Sequence, residues 1–535
     1  MRKRMRRSLW ISLVIFIIFM GVWFCVASSF GPYLDEDCHF DWAYGMFKTG
    51  SVHYNWDSST GQPIAMGLDK WLFRGFLVTY LCSLAFKIPG GTPILWCRLM
   101  MLFFAWSTFL LVAVYYKRKG VLTPQRLLTW TILFFCSSII LDNSYYVRTY
   151  TALGLAMTAT FILYWEALAA FRQKKRKKAL LLGVLALIPV GISIVDQWQV
   201  EGIPAFAIAI MTSIAAFNQR FSPIFGWLKQ RSLWLLLGVI LIAPKIVGHL
   251  SFLSWLHVGG IQMFGLYYST YWDNIIGWVR FIITINIGLL ALGYAFKSKV
   301  PMTFERWMFI NGFLTGIVCI LYNDVNHVFF SKYIYLPTLM MLIGLSGIIE
   351  GFFMKTSLRV CMLAVYVIIN IGASWANTFE HNNPKEAIRW LNEHMTQEDI
   401  LLTFNAYSTL QYMGGQELLP MTYRISDSMD NTHIIDLGKY IISHPGARIF
   451  YFYLDGYAFR TWLCKITLGR DRYPAIDLWS YLKIRIPSTP VVPGLRQGGL
   501  VEFDRAVLLN GLDQLLRQGY SHMDYRMIKF LIYKF

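Results

Sequence analysis

Apolar stretches long enough to cross a lipid bilayer recur along this chain, and they restrict it to a membrane fold. Of the 535 residues, 56% are hydrophobic and only 15% are charged, proportions that a soluble domain of this size does not have. The stretches predict eleven transmembrane helices, and the protein is therefore predicted to be a polytopic α-helical membrane protein. The predicted spans are residues 8–30, 94–116, 127–141, 149–171, 179–195, 201–217, 233–250, 277–296, 307–322, 333–350 and 360–377.

The distribution of Lys and Arg predicts how these helices are oriented. The formal net charge is +19, and the basic residues fall in short clusters between apolar stretches. This is typical of cytoplasmic membrane loops and not of a nucleic-acid surface. We place residues 71–88 on the outer leaflet as one or two amphipathic helices, because the cytoplasmic connections then carry 23 Lys and Arg and the outer ones 6. The N-terminus is accordingly predicted to be cytoplasmic, and no nucleic acid is expected as a partner.

The composition changes after residue 380. The stretches DILLTF, ARIFYFYL and MIKFLIYKF have the pattern of buried strands, and they alternate with helical patterns. We predict a transmembrane domain over residues 1–380, whose first outer loop covers 31–93, and an α/β domain over 381–535. Because the number of spans is odd, the second domain is predicted to be extracytoplasmic.

The eight cysteines show no spacing typical of a metal site. Cys97 lies in an apolar span, as four others do, and cysteine packs there as a small hydrophobic residue. Cys82 is one of three that are scattered outside the spans. The sequence therefore predicts neither a zinc site nor a framework of disulfides.

Three consecutive carboxylates, Asp35, Glu36 and Asp37, follow the first predicted span. Helix ends at a bilayer surface usually carry basic or aromatic anchors, so an acidic triplet needs another explanation. Adjacent like charges are hydrated, bound to a cation, or used as acid–base groups. A solvated loop is the simple alternative. No cofactor is otherwise indicated, but if a divalent cation such as Mg²⁺ or Mn²⁺ is used, Asp35 and Asp37 are the ligands we expect.

Further polar residues suited to chemistry face the same predicted side of the membrane. We predict that these residues bind substrate together with Asp37: His39, Asp142, Arg148, Lys245, His327 and Lys332. Ordinary structural roles are the alternative for several of them. The alternative role is packing for His39, helix capping for Asp142, anchoring at the lipid head groups for Arg148, and snorkelling to the membrane interface for Lys245.

Acidic and basic side chains at the same depth of the membrane suit the transfer of a group from a lipid-linked phosphate to an acceptor hydroxyl. A carboxylate positioned against an acceptor hydroxyl removes its proton. Lys and Arg neutralise the charge that grows on the departing phosphate. The long outer loop with its interfacial helices would admit the lipid from the side.

Four segments resemble one known family. LDEDCHF followed by WAYGMFKTG resembles the first-loop motif of the C-type (GT-C) glycosyltransferases that use polyprenyl-phosphate sugars. The likeness is greatest to the protein O-mannosyltransferases and the lipid A aminoarabinose transferases. LAFKIPGGTPILWCRLMMLFF, SYYVRTYTALGLAM and SKYIYLPTLMML are similar to later segments of that family, in the same order. The resemblance covers roughly residues 8–380 and implies a GT-C fold.

The same resemblance implies roles for individual residues. Asp35 would be the catalytic base and Glu36 its supporting acid. Asp142 and Arg148 would line the donor phosphate or acceptor site, and Lys332 would contact the lipid phosphate.

We therefore expect an inverting membrane glycosyltransferase. Its partners would be the bilayer, a polyprenyl-phosphate-linked sugar donor, and a lipid, glycan or protein acceptor of the cell envelope. A bacterial inner membrane is the expected location. The alternatives are a transporter or flippase of lipid-linked saccharides, which should place its key charges near mid-membrane, and a non-catalytic envelope scaffold.

Overall fold

The structure is a computed structural model, and it describes most of the predicted membrane region and parts of the C-terminal region. The described residues are 2–29, 34–51, 54–57, 62–65, 76–88, 93–195, 202–217, 281–282, 285–295, 302–322, 334–352, 356–380, 390–391, 393–396, 398–403, 422–424, 431–454, 488–490 and 498–517.

Helices dominate as far as residue 380. In chain order they are α1 (Arg2–Ser29), α2 (Leu34–Thr49), α3 (Phe76–Ala85), α4 (Pro93–Arg118), α5 (Pro124–Phe135), α6 (Ser138–Tyr145), α7 (Tyr150–Arg172), α8 (Arg176–Val195), α9 (Gly202–Phe217), α10 (Gly288–Ala295), α11 (Phe304–Tyr322), α12 (Tyr335–Phe352) and α13 (Thr356–Glu380). A two-stranded antiparallel hairpin, β1 (Tyr54–Asp57) and β2 (Gln62–Ala65), lies between α2 and α3.

Five strands and two helices lie in the remainder of the described chain. They are β3 (Ile400–Thr403), β4 (Thr422–Arg424), β5 (Ile449–Leu454), β6 (Ser488–Pro490) and β7 (Gly498–Phe503), with helices α14 (Asn431–Ile442) and α15 (Arg505–Arg517). The five strands form one sheet in the order β4-β3-β5-β7-β6. β3 pairs in parallel with β4 and β5, whereas β7 is antiparallel to β5 and β6.

The chain divides into two compact units. The first comprises residues 1–26, 67–78 and 98–375, and the second comprises residues 27–66, 79–97 and 376–535. The second unit thus joins much of the first predicted outer loop to the C-terminal region. The predicted division at residue 380 and the outside location of the C-terminal region stay predictions.

Four of the described helices are long and apolar enough to cross a membrane: Arg6–Ser28, Pro93–Arg118, Tyr150–Arg172 and Ser357–Ser374. Helices α5 and α6, joined at a 60° bend, make a fifth if they form one span. The prediction of a multi-pass membrane protein is confirmed by these helices, while the number eleven stays a prediction. The predicted span 233–250 lies outside the described residues.

Local signals in the sequence explain where α4 ends and α5 begins. Gly120 has a φ of +70°, the left-handed conformation that commonly follows a helix C-terminus. Thr123 then caps α5, because its hydroxyl accepts a hydrogen bond of 3.0 Å from the backbone N–H of Arg126. Pro124 occupies the first turn, where its missing N–H costs nothing.

Ion pairs connect three helices of the first unit. The Arg126 guanidinium on α5 lies 3.1 Å from the Glu305 carboxylate on α11 and 2.9 Å from that of Glu350 on α12. These side chains are between 13% and 18% exposed, so water screens them only in part. The cluster fixes α5 against the pair α11 and α12.

Helices α11 and α12 pack at unusually short range because glycines face the contact. A Cβ added at Gly312 would lie 2.6 Å from the backbone oxygen of Pro337 and 2.7 Å from the backbone nitrogen of Met341. Small residues at such crossings let helix backbones approach closely in membranes.

Candidate functional site

The acidic triplet begins a helix. Leu34 is the first residue of α2, so Asp35, Glu36 and Asp37 occupy its first turn. The N–H groups of a first turn have no partners within the helix and the helix dipole is positive there, so ionised carboxylates are stabilised. Glu36 is 1% exposed, which places a carboxyl group almost entirely away from water. The side chains of Asp35 and Asp37 lie outside the described part of the structure.

His39 shares the buried side of α2 with Glu36. It follows Glu36 by three residues, a spacing that brings side chains to the same helix face. Its imidazole is 0% exposed and lies edge-on to the indole of Trp42, with ring centroids 4.7 Å apart. A carboxyl and an imidazole one turn apart are groups that hold and transfer protons.

One aromatic ring after α3 contacts three rings of this helix. Phe86, directly after α3, lies 6.4 Å from the ring of Phe40, 5.3 Å from that of Tyr44 and 5.7 Å from that of Phe47, measured between centroids. All three are on α2 within two turns. The chain directly after α3 therefore packs against the side of α2 that carries these rings.

Asp142 and Arg148 lie in the first unit, on α6 and directly after it. Asp142 is on α6, and Arg148 lies in the short segment between α6 and α7; both are half-buried. Thr149 directly after Arg148 is the N-cap residue of α7, so two helix ends fix this segment.

Asn370 on α13 holds the first turn of α6. Its side-chain oxygen accepts hydrogen bonds of 3.1 Å from both the backbone N–H and the hydroxyl of Ser138. The asparagine is 0% exposed, so these bonds are made without competition from water. The helix that carries Asp142 is thereby fixed at its beginning.

The predicted site residues thus fall into three groups. Glu36 and His39 lie together on α2 in the second unit, and Asp142 and Arg148 lie six residues apart in the first. Three further predicted substrate-binding residues lie outside the described residues: Lys245, His327 and Lys332.

No group of three or more His, Cys, Asp and Glu side chains that could hold a metal ion occurs among the described residues. Asp35 and Asp37, the expected ligands of a divalent cation, have side chains outside that part. The involvement of Mg²⁺ or Mn²⁺ stays a prediction.

Arg98 is a candidate that sequence reasoning missed. It lies on α4 and is 1% exposed, although a guanidinium is charged at any physiological pH. The available signal was an ionisable residue a few positions inside a predicted span, which usually faces a partner or a cavity.

Comparison with known proteins gives a structural match and no sequence match. No family model matches the chain, and no curated protein matches it. ArnT from Cupriavidus metallidurans bound to undecaprenyl phosphate matches with a TM-score of 0.54 and 9% identity, over 92% of this chain and 98% of that one. The apo state of the same ArnT matches with a TM-score of 0.50 and 11% identity, over 94% of this chain and 99% of that one.

An archaeal oligosaccharyltransferase is also similar, at a lower score. AglB from Archaeoglobus fulgidus, in complex with an inhibitory peptide and a dolichol-phosphate, matches with a TM-score of 0.46 and 11% identity, over 82% of this chain and 69% of that one.

The likeness to ArnT extends over nearly the full length of both chains. The resemblance to GT-C glycosyltransferases that the first-loop motif indicates is therefore confirmed at the level of the fold. The chain has the fold of ArnT.

Proposed function

We propose that the protein is a membrane glycosyltransferase that takes a sugar from a polyprenyl-phosphate carrier and transfers it to an acceptor of the cell envelope on the outer face. The observation that carries the proposal is the buried pair Glu36 and His39 in the first two turns of α2, within a chain that has the ArnT fold. ArnT was crystallised with undecaprenyl phosphate, and this supports a lipid phosphate as the leaving group. A fold hosts many activities, so the site has to supply the rest of the argument.

In the proposed reaction Asp35 accepts the proton of the acceptor hydroxyl as its oxygen attacks the anomeric carbon. The bond from that carbon to the phosphate oxygen breaks, and the polyprenyl phosphate leaves with the electron pair. Attack from the side opposite the phosphate inverts the configuration of the sugar. Glu36 supports the base, and the cations Arg148, Lys245 and Lys332 stabilise the departing phosphate.

The remaining site residues have binding roles in this proposal. Asp37, His39, Asp142 and His327 contact the sugar or the acceptor through hydrogen bonds. The C-terminal region covers the site or recognises the acceptor. A divalent cation held by Asp35 and Asp37 would add positive charge beside the phosphate.

The test is transfer of labelled sugar from a panel of polyprenyl-phosphate donors in membranes that contain the protein. Asp35→Asn keeps the size of the side chain and removes its basicity, so we expect the transfer rate to fall by about 10²–10⁴-fold. Asp436→Asn, at an exposed position of α14, is the matched control and should transfer at the wild-type rate.

Equal transfer by wild type and Asp35→Asn would show that another residue is the base. Absence of transfer by the wild type across all donors, in protein that is folded, would favour the transporter. Flux of the lipid-linked sugar between leaflets should then be measured in vesicles.

A further inference from the structure

The bend between α5 and α6 interrupts a helix within a predicted membrane span. Helix α5 ends at Phe135 and α6 begins at Ser138, and the two are inclined by 60°. The break lies inside the predicted span 127–141, where no bulk water replaces a lost backbone hydrogen bond. Each backbone group that the bend releases therefore needs a partner within the protein.

Two backbone hydrogen bonds of a continuous helix are replaced at the bend. A straight helix would join the N–H of Ser137 to the oxygen of Leu133. It would likewise join the N–H of Ser138 to the oxygen of Phe134. In the structure the N–H of Ser137 donates to the oxygen of Phe134 instead, at 3.3 Å. The bend thus releases the oxygen of Leu133 and the N–H of Ser138.

Helix α13, which also belongs to the first unit at this point, supplies both replacement partners. The Tyr366 hydroxyl donates to the backbone oxygen of Leu133 at 2.8 Å. The side-chain oxygen of Asn370 accepts from the N–H of Ser138 at 3.1 Å. The amide nitrogen of Asn370 donates to the backbone oxygen of Tyr366 at 3.1 Å, which orients the amide. Both side chains are 0% exposed.

The angle of the bend determines where Asp142 lies. Asp142 follows Ser138 by four residues, so its Cα lies about 6 Å further along α6. Returning α6 to the direction of α5 would turn it through the 60° of the bend and would move Asp142 by about 6 Å. A displacement of about 1 Å can cost a reaction about 10²-fold in rate. A small change in the bend is therefore enough to misplace Asp142.

We propose that Tyr366 and Asn370 are positioning residues of the substrate site: they hold the bend between α5 and α6, and through it they place Asp142. This rests on the proposed function, in which Asp142 contacts the sugar or the acceptor. Neither positioning residue touches substrate. A phenol and an amide are costly to bury unless their polar atoms are bonded, and here those bonds go to the bend.

The first experiment compares Tyr366→Phe with Tyr116→Phe in the full-length protein in membranes. Tyr116 on α4 is the matched control, because it is also 0% exposed and donates to a backbone oxygen at 2.8 Å, that of Ile343. Tyr366→Phe removes one hydroxyl and keeps the ring, so we expect kcat/KM for sugar transfer to fall by about 10-fold per folded molecule. Tyr116→Phe should transfer at the wild-type rate. Equal rates for the two variants would overturn the proposal.

The second experiment separates positioning from simple stabilisation. Asn370→Leu removes the acceptor for Ser138 at similar volume, and we expect kcat/KM to fall by about 10–100-fold. In protein that already carries Asp142→Asn, the same change should cost less than about 3-fold, because effects that act through one group are not additive. A purely structural role would lower the amount of folded protein by the same factor in both backgrounds. Equal losses in the two backgrounds would therefore contradict positioning.

Hydrogen exchange reports on the bend without reference to activity. In Asn370→Leu the amides of α6 should exchange faster than in wild type, while those of α11 should keep their wild-type rates. Unchanged exchange in α6 would show that Asn370 does not hold the bend.

The exchange result also distinguishes the two possible failures. If α6 exchanges faster but the wild type transfers no sugar from any donor, the proposed function fails and the positioning role fails with it. If the wild type transfers sugar and the losses are equal in the two backgrounds, only the positioning role fails.

Discussion

At the scale of single residues, the candidate site contains polar side chains that are buried. Glu36 and His39 are polar groups that water ordinarily covers, yet both are at most 1% exposed. Buried polar groups are retained where a protein uses them, because their desolvation is costly otherwise. The placement of a carboxyl and an imidazole on one side of α2 is consistent with the roles proposed for them, and these roles stay a prediction.

Glu36→Gln tests this interpretation. The amide keeps the shape of the side chain but removes its acid–base function, so we expect transfer to fall by up to about 100-fold through misplaced reacting groups. The KM for the donor should change little, because other residues are proposed to hold the lipid phosphate. Steady-state kinetics with purified protein checks this, and Glu398→Gln at an exposed position is the control. A loss confined to KM would assign Glu36 to donor binding instead.

A second residue-scale feature lies before β3. Asp399 is 3% exposed and accepts hydrogen bonds from the Arg448 guanidinium at 2.7 and 3.1 Å and from the backbone N–H of Thr396 at 2.7 Å. Burial raises the pKa of Asp399, but the hydrogen bonds from Arg448 and Thr396 outweigh it and hold the pKa below its ordinary value. The ionised carboxylate therefore stabilises the beginning of β3.

Asp399→Asn should weaken this sheet by about 2 kcal/mol at neutral pH, because charged hydrogen bonds are lost and Arg448 is left without its carboxylate. A lowered folded-state pKa contributes stability above the ordinary carboxyl pKa, and that stability is lost as the pH falls through the folded-state value. The difference in stability between wild type and Asp399→Asn should therefore shrink below about pH 4. Hydrogen exchange of the β3 and β5 amides, with Asp436→Asn as control, measures it. A difference that does not change with pH would contradict the ionic explanation.

At the scale of secondary-structure elements, length and apolar composition predict the membrane helices well. Helices lie across the predicted spans 94–116, 149–171 and 307–322, for example, as α4, α7 and α11. A long apolar stretch in lipid must satisfy its own backbone hydrogen bonds, and the helix is the local way to do so. The 60° bend between α5 and α6 is not apparent in the continuous apolar stretch 127–141.

The packing of α11 on α12 supplies an element-scale prediction. Gly312→Ala places a methyl group against backbone atoms of α12, which cannot move aside as a flexible side chain can. We expect a loss of about 1–3 kcal/mol of stability and a lower Tm in detergent. Gly183→Ala on α8 is the control, since nothing lies within 4 Å of its added Cβ and alanine favours the helix. Equal Tm values for the two variants would show that α11 and α12 separate without cost.

At the scale of the whole molecule, the orientation predicted for the chain depends on its charges. The cytoplasmic assignment of the run RQKKRKK and the outer assignment of the C-terminal region depend on the same bias of Lys and Arg. Every role proposed for the site requires that α2 and the lipid carrier meet at the outer face.

Cysteine labelling in intact cells tests this orientation. Ser443→Cys, at an exposed position after α14, should react with a membrane-impermeant maleimide. Lys177→Cys, at an exposed position near the start of α8, should react only after the membrane is opened. The reverse pattern would contradict the orientation and would move the acidic triplet to the cytoplasmic side.

The sequence by itself determined the membrane class, the position of most described helices and the acidic triplet, because these depend on local apolar length, charge and residue type. It also indicated β3, β5, α14 and α15 through hydrophobic periodicity. It did not indicate the three-residue strands β4 and β6, since so few residues carry too little pattern until a sheet pairs them, nor β7, which begins with two glycines.

Only the tertiary structure decided which distant residues meet. The approach of Cys82 and Cys97, the burial of Arg98, and the joining of Arg126 to Glu305 and Glu350 depend on how helices pack. Packing is set by the fit of many side chains far apart in the chain, and no local spacing encodes it. The fold class was thus determined by local physics, and the supporting structure around the site by contacts that form only once the chain has folded.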